Sequence, residues 1–285
     1  MAVTAEAEPT QPDVAAREPV IRLVGIQKAF GDGGVILDGV DLDVYPNETL
    51  VIIGRSGTGK SVTLRHVIGL LEADEGEVYV FGQNLAELTK KELKRLRLKI
   101  GYLFQSGALI NWLTIAENLA LPLREHSPEL TDDEIEAKVL EKLRLVEMAG
   151  AAEKYPAEIS GGMRKRGGLA RATILEPAII LYDEPTSGLD PVIATSIDEL
   201  VIHTREALGV TQVVVTHDME SAYRIADRIA MLYEGKIIAL GTPDEIRGHS
   251  SSIVQQFING SSKGPITDMT EEGEDADKDE PKPSP

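Results

Sequence analysis

An apolar run and a glycine-rich octet stand side by side in this chain: Leu50-Val51-Ile52-Ile53, then Gly54-Arg55-Ser56-Gly57-Thr58-Gly59-Lys60-Ser61. The octet has the spacing G-x-x-x-x-G-K-[ST], and apolar residues recur after it at helical spacing, which predicts a strand, a phosphate-binding loop and a helix. Glycines let main-chain N–H groups turn around phosphate oxygens, and a helix N-terminus adds partial positive charge at the same point. The alternative is a glycine-rich turn before an ordinary helix, but an octet of this pattern arises by chance in only about one chain per hundred of this length.

We expect this loop to bind a nucleotide. Lys60 would reach the β- and γ-phosphates and Ser61 would ligate Mg²⁺. The nucleotide-binding residues predicted here are Gly54, Arg55, Ser56, Gly57, Thr58, Gly59, Lys60, Ser61 and Val62.

The composition limits the other possibilities. The chain has 285 residues, no cysteine and a net charge of -18, so disulfides and thiolate chemistry are excluded. The segment from Asp268 to Pro285 carries eight acids against two lysines, a third of that charge, and we expect it to be disordered. The net negative charge of the rest of the chain argues against nucleic acid as a partner.

Residues 1–19 also have a disordered composition without the features of a secretory signal, and no apolar run is long enough to cross a bilayer. A membrane role would therefore depend on partners.

Polar residues follow three of the other predicted strands. Gln105 follows Ile100 to Phe104, Asp183 and Glu184 end the run from Ala178, and His217 follows Gln212 to Val215. Ligands of open α/β sheets bind at the carboxyl ends of the strands. A carboxylate delivered there holds Mg²⁺ in phosphate-loop enzymes, and a second one can act as a base toward water. We therefore expect Asp183 to be a metal ligand, Glu184 a base and His217 a contact of the γ-phosphate.

Two further sites are expected near helix starts and turns. Ser160 is a plausible N-cap, and Gly161 and Gly162 after it free main-chain amides for a second anion contact, although simple capping is the alternative. Phe30, just before the turn at 31–34, either stacks on a flat base or packs into the sheet as a core aromatic residue.

Residues 106–158 form a helical insertion in which Trp112 belongs to an apolar cluster. We expect Trp112 to pack in the core of the insertion, with a partner-docking surface as the alternative.

With these motifs in order, residues 20–260 resemble the ATP-binding subunit of an ABC transporter. The resemblance implies an α/β fold: a P-loop NTPase ABC nucleotide-binding domain with an antiparallel β subdomain and a helical subdomain at about 106–176, between disordered tails at 1–19 and 261–285. It implies ATP and Mg²⁺ as ligands, with Gln105 sensing the γ-phosphate and contributing to the metal site, and Phe30 beside the base. In that family two copies pair head to tail, so Ser160, Gly161, Gly162 and Asp190 would contact the ATP of the other subunit in a homodimer.

Four short sequence features resemble those of the Mla/Mce-type phospholipid transporter ATPases. They are Met163 after the double glycine, Ser61-Val62, Pro122 to His126 and Gln255 to Gly260. This resemblance implies an integral permease (MlaE-like), an MCE-domain periplasmic protein (MlaD-like) and in some systems a STAS-domain subunit (MlaB-like), with the chain peripheral at the cytoplasmic face of the inner membrane. The alternatives are the ATPase of an importer of another small solute, such as an amino acid, and a soluble ABC ATPase acting on ribosomes or nucleic acid. The single cassette and acidic balance disfavour the last class.

Overall fold

The computed structural model of the chain describes residues 17–31 and 34–267. The tails predicted to be disordered lie outside the described residues up to residue 16 and from residue 268. The strands in the described part are β1 (Ile21–Ala29), β2 (Val35–Val44), β3 (Thr49–Ile53), β4 (Glu75–Val80), β5 (Gln83–Asn84), β6 (Ile100–Leu103), β7 (Ile179–Asp183), β8 (Thr211–Thr216), β9 (Arg228–Tyr233) and β10 (Lys236–Gly241). The α-helices there are α1 (Lys60–Val67), α2 (Lys90–Arg97), α3 (Ile115–His126), α4 (Asp132–Leu145), α5 (Gly161–Thr173), α6 (Pro191–Leu208), α7 (Met219–Ile225), α8 (Pro243–Arg247) and α9 (Ser252–Ile258).

The strands form two sheets. The central sheet has the order β10-β9-β3-β8-β7-β6, and all its strands are parallel except the edge strand β10. The second sheet is antiparallel, with the order β2-β1-β4-β5. The parallel register pairs Ile53 with Thr216 and Asp183 with Val215, so β3, β7 and β8 end at one edge of the central sheet. This is the α/β architecture expected from the sequence.

Strand β3 is buried on both faces, which explains why its sequence is continuously apolar. Val51 and Ile53 belong to one core, which also contains the buried faces of α3, α4 and α5. Leu50 and Ile52 belong to a second core, which lies between the central sheet and the antiparallel sheet and includes α1. The loop that follows β3 is therefore attached to a strand that is buried along its whole length.

The helical insertion is stabilised at its helix starts. Thr114 and Thr131 each accept a hydrogen bond from the main-chain N–H three residues later. The carboxylates of Glu117 and Glu134 in turn accept from the main-chain N–H groups of Thr114 and Thr131. The sequence pattern predicts a helix over 115–121, whereas α3 continues through Pro122 to His126, five residues past that end. Leu123 beyond the proline is buried in the core, and this packing offsets the hydrogen bond that proline cannot donate.

Three boundaries differ from the sequence predictions. The sequence pattern predicts two strands, over 35–37 and 40–45, whereas the structure has one strand, β2, with irregular pairing to β1. It also predicts a helix over 60–71, whereas α1 ends at Val67, because Gly69 adopts a left-handed backbone (φ 66°). The packed part of the chain also continues past Gly260: Ile266 is buried, and its main-chain N–H donates to Gln256 Oε1 at 2.7 Å.

Over residues 17–31 and 34–267, no helix combines the length and the apolar character needed to cross a bilayer.

Candidate active site

The phosphate-binding loop predicted from the octet connects β3 to α1. A Cβ atom at position 54 would lie 2.4 Å from the main-chain oxygen of Leu232, so a side chain has no room where the loop crosses β9. Gly59 has a left-handed backbone (φ 101°), and a Cβ there would lie 2.8 Å from Leu37 Cδ2. The glycines that begin and end the loop are therefore required by close packing as well as by the turn.

Lys60 opens α1 and is 94 % buried, with its ammonium inside the loop. Its Nζ donates to the main-chain oxygens of Gly54 (2.8 Å) and Arg55 (3.0 Å) and lies 3.5 Å from Glu184 Oε1. Burial lowers the pKa of Lys60, and the negative charge of Glu184 opposes that shift. The loop thus holds a cation at the point where the main chain turns.

Ser61 and Asp183 meet although 122 residues separate them in the chain. The Ser61 hydroxyl donates to Asp183 Oδ1 at 2.6 Å, and the Tyr102 hydroxyl donates to Asp183 Oδ2 at 3.2 Å. Burial raises the pKa of Tyr102, and the adjacent Asp183 charge adds to the shift, so this hydroxyl stays protonated. Sequence reasoning did not identify Tyr102, whose residue type in an apolar strand carries no functional signal.

These oxygen atoms fit Mg²⁺, which proteins hold with one or two carboxylates together with substrate phosphates. The Ser61 hydroxyl and the Asp183 carboxylate are such donors, and they are already in contact. Among the residues that the structure describes, no group of three or more His, Cys, Asp or Glu side chains is placed to hold a metal ion. The donor set therefore suits a magnesium ion that phosphate oxygens help to ligate.

Glu184 follows β7 directly and lies between two partners. Its Oε1 is 3.5 Å from Lys60 Nζ, and its Oε2 is 2.9 Å from His217 Nδ1. The Glu184 side chain is only 12 % exposed, whereas that of His217 is 52 % exposed. A buried carboxylate between a lysine and a histidine can orient a water molecule and accept its proton.

Lys60, Ser61, Glu184 and His217 line one cavity of about 400 Å³ at the carboxyl ends of the parallel strands. Its lining residues are Ser56, Gly57, Gly59, Lys60, Ser61, Val62, Gln105, Glu184, Ser187 and His217. Gln105 Nε2 donates to the Ser187 hydroxyl at 3.3 Å, which joins the segment after β6 to the segment after β7. The structure therefore brings half of the sequence-predicted site residues together around this cavity, and Asp183 adjoins them through its contact with Ser61.

The remaining predicted residues do not line this cavity. Ser160 caps α5 by accepting from the Met163 N–H at 3.2 Å, and Asp190 caps α6 by accepting from two main-chain N–H groups. These two helix starts are neighbours, since a Cβ atom at Gly162 would lie 2.6 Å from Ile193 Cγ2. Ser160 and Asp190 therefore cap adjacent helix starts and do not line the Lys60 cavity.

Phe30 follows β1 with 44 % of its surface exposed, and Lys28 Nζ lies 5.6 Å from its ring centre. The interpretation in which Phe30 plugs the sheet is therefore wrong, because the ring faces solvent.

Trp112 also differs from its expected place in the insert's core. Its side chain is 79 % exposed, in the loop between β6 and α3. The loop is held by the buried Asn118, which accepts from the Ile110 N–H at 2.7 Å and donates to the oxygens of Ile110, Leu113 and Thr114. Asn118 satisfies the loop's main chain, so the loop keeps its shape without burying Trp112.

The proteins that resemble this chain include ATP-binding proteins, which agrees with the geometry of the phosphate loop and the Glu184 cluster. The family described as "ABC transporter" matches residues 37–187. The "probable ribonucleotide transport ATP-binding protein mkl" of Mycobacterium leprae is 41 % identical over 256 residues, covering 90 % of this chain and 73 % of the relative. The "intermembrane phospholipid transport system ATP-binding protein MlaF" of Haemophilus influenzae is 40 % identical over 232 residues, covering 81 % of this chain and 88 % of the relative.

A solved structure shows the same fold: the dimeric ATP-binding cassette MJ0796 in a post-hydrolysis state bound to ADP and Pi. It has a TM-score of 0.72 and 34 % identity, over 78 % of this chain and 98 % of that chain. The phosphate loop, the Glu184 cluster and these matches point to one conclusion. The chain belongs to the ABC transporter family, as an ATP-binding cassette subunit that couples ATP hydrolysis to transport.

Proposed function

We propose that this ATPase powers a transporter that moves phospholipids between the inner membrane and a periplasmic MCE-type carrier. The observation that carries the catalytic part is the chain of contacts from Lys60 to Glu184 to His217 around one cavity. The lipid part is supported by the 40 % identity to a protein named for intermembrane phospholipid transport, together with the short sequence marks at Met163 and Pro122 to His126.

In this proposal Lys60 and the loop amides bind the ATP phosphates, and Ser61, Asp183 and Gln105 hold Mg²⁺. A bound Mg²⁺ would neutralise charge on the phosphate oxygens. Glu184 orients the attacking water and takes its proton, while His217 holds the carboxylate through Oε2 and would contact the γ-phosphate. Phe30 offers its exposed ring to the base.

We propose that two copies form a head-to-tail homodimer. Each ATP would then contact the phosphate loop of one subunit and the Ser160 to Gly162 helix start of the other, with Asp190 beside it. The absence of these residues from the lining of the Lys60 cavity supports this arrangement, because a helix start with free main-chain N–H groups suits an anion that a second subunit would bring.

The exposed Trp112 supports a docking role toward an integral permease. An exposed tryptophan on a loop of fixed shape suits an anchor that fills a pocket of a partner. The loop begins a few residues after Gln105, so a change at the nucleotide site can reach the docked permease through one short segment. Through that permease the chain would lie at the cytoplasmic face of the inner membrane, with an MCE-domain protein and a STAS-domain subunit as further partners.

The catalytic part is tested by Glu184→Gln, with Glu206→Gln as the matched control on the exposed face of α6. We expect Glu184→Gln to bind ATP with little change and to lose about 100-fold or more in kcat, because general-base catalysis contributes about 10²- to 10⁴-fold. The Glu206→Gln control should hydrolyse ATP like the parent. Equal rates for Glu184→Gln and the parent would reject this role of Glu184.

The lipid part is tested against a second candidate, an importer of a small solute; because the mkl relative is named for ribonucleotide transport, nucleosides are included among the solutes. Deleting the gene should disturb envelope lipid distribution and detergent resistance while leaving growth on single amino acids, sugars or nucleosides unchanged. Tagged chain isolated in mild detergent should bring down a permease and an MCE-domain protein. A nutrient-uptake defect with a normal envelope would instead support the importer.

A further inference from the structure

A second buried lysine lies behind the active site. Lys165 is on α5 and only 5 % of it is exposed, although lysine is among the residues least often buried. Its Nζ donates to the main-chain oxygen of Glu184 at 2.8 Å. Burial lowers the pKa of Lys165 to about 8, against the opposing charges of Glu184 and Asp183. The hydrogen bond to Glu184 therefore holds the Lys165 ammonium in a buried position, where the loss of hydration disfavours its charge.

The group that Lys165 holds has an unusual backbone. Glu184 has φ 49°, in the left-handed region that residues with a side chain rarely adopt. Its N–H donates to Val215 O at 3.0 Å, and its oxygen accepts from both Lys165 Nζ and the Ser187 N–H (3.3 Å). Strained backbone persists where surrounding bonds hold it, and here those bonds come from β8, from the following turn and from α5.

This backbone conformation sets the direction of the carboxylate. With it, Glu184 Oε1 lies 3.5 Å from Lys60 Nζ and Oε2 lies 2.9 Å from His217 Nδ1. A rotation of the main chain at residue 184 would move both oxygens away from these partners. A general base works only within hydrogen-bond reach of the proton that it removes, so the position of the backbone matters for the rate.

We propose that Lys165 is a positioning residue for Glu184, whose hydrogen bond to the Glu184 main-chain oxygen holds the carboxylate in its catalytic direction. The proposal rests on the proposed function, in which Glu184 is the base. Helix α5 also begins at the Ser160 to Gly162 segment that is proposed to contact the second nucleotide. Lys165 therefore makes the placement of the base in one site depend on the helix that serves the other site.

The test measures kcat and KM for Mg-ATP in full-length Lys165→Met, which keeps an unbranched chain but has no donor. The matched control is Lys142→Met on α4, another buried lysine, whose Nζ contacts Glu141 Oε1 at 2.9 Å away from the active site. We expect Lys165→Met to lower kcat about 10- to 100-fold, the scale of a small misplacement of a catalytic group. Its KM should stay within about twofold, because Lys60 and the loop are unchanged. Lys142→Met should keep the parent kcat.

Should Lys165→Met not fold, Lys165→Gln replaces it. Its neutral side chain is one atom shorter, so we expect a longer and weaker contact with the same oxygen and a loss in kcat in the same direction. The unfolding midpoint of every variant is recorded beside its rate, so that a loss of folded protein is not read as a loss of catalysis.

A double-mutant cycle separates positioning from general packing. In single-turnover hydrolysis, adding Lys165→Met to Glu184→Gln should cause no further loss, since the lysine acts only through the glutamate. Losses that multiply in the double variant, a raised KM with unchanged kcat, or an equal loss in Lys142→Met would each overturn the proposal. If Glu184→Gln is inactive but Lys165→Met matches the parent, only the positioning role fails. If Glu184→Gln hydrolyses ATP like the parent, the proposed function itself fails.

Discussion

Two adjacent glycines of α5 should respond differently to the same substitution. A Cβ atom at Gly168 would lie 2.8 Å from the main-chain oxygen of Gly107, 2.9 Å from Leu103 Cδ1 and 3.0 Å from Gly107 Cα. A Cβ atom at Gly167 would lie 3.4 Å from Leu109 Cδ1, with its next neighbours at 3.8 Å, which is ordinary contact. Both glycines are buried and helical, so only the available space distinguishes them.

The expected magnitudes follow from two opposing terms. Replacing a helical glycine with alanine stabilises the helix by about 1 kcal/mol at either position. At Gly168 the added methyl must push against main-chain atoms of Gly107, and overpacking of this kind costs about 1–3 kcal/mol. Gly167→Ala should therefore stabilise the protein by about 1 kcal/mol, whereas Gly168→Ala should be neutral or destabilise it by up to about 2 kcal/mol. The difference between the variants is about 2 kcal/mol.

Urea unfolding of the two variants and the parent measures this difference, with circular dichroism as the signal. A difference of about 2 kcal/mol also corresponds to about 4–8 °C in Tm for a protein of this size. Because Gly107 lies two residues after Gln105, Gly168→Ala should in addition lower the ATPase kcat, while Gly167→Ala should not. A Gly168→Ala variant as stable as Gly167→Ala would show that the segment around Gly107 yields freely, and would refute the reasoning.

Four other outcomes are expected. Lys60→Met should lose most ATP binding, measured with a fluorescent nucleotide, because the phosphates lose their buried cation; binding equal to the parent would contradict its role. Mixing Lys60→Met with Ser160→Arg chains should recover ATPase activity that neither has alone, since one composite site can form in the mixed dimer, and no recovery from folded proteins would count against shared sites. Trp112→Ala should fold normally but copurify poorly with the permease, whereas Leu240→Ala, an exposed control on the opposite edge of the sheet, should copurify like the parent. Burial lowers the pKa of His66, so the unfolded state binds its proton more readily. Stability is therefore fully present above about pH 6.5 and falls as the pH drops below it; urea midpoints of His66→Gln between pH 7.5 and 5 should depend less on pH than those of the parent.

The sequence predicted helix starts correctly where a single capping residue sets the first turn. The sequence indicates Thr131 or Asp132 as the cap of one helix and Ser160 as the cap of another, and Thr131 and Ser160 accept the main-chain hydrogen bonds. The end of α1 was missed because Leu70 and Leu71 continue an apolar pattern, while the left-handed Gly69 already stops the helix. A hydrophobic pattern records which residues avoid water, and it does not record the exact point where the backbone turns.

Trp112 shows a different limit. Its apolar neighbours suggested a common buried cluster, yet Leu109 packs against the core while Trp112 is exposed. The difference arises from Asn118, whose hydrogen bonds fix a loop that turns the tryptophan outward. Asparagine in a helix gives no sequence signal for such a role, because its partners are main-chain atoms of a loop that could take many shapes.

The sequence by itself determined the phosphate loop, the caps and the polar residues at strand ends, because each depends on neighbouring residues and on rules of local geometry. Only the tertiary structure decided which of these residues meet. Ser61 contacts Asp183 across 122 positions of sequence, and Lys165 reaches the main chain of Glu184 from another helix. These contacts depend on the register of the parallel strands and on how closely α5 packs against the sheet, and both are set by the burial of two cores that no local pattern specifies.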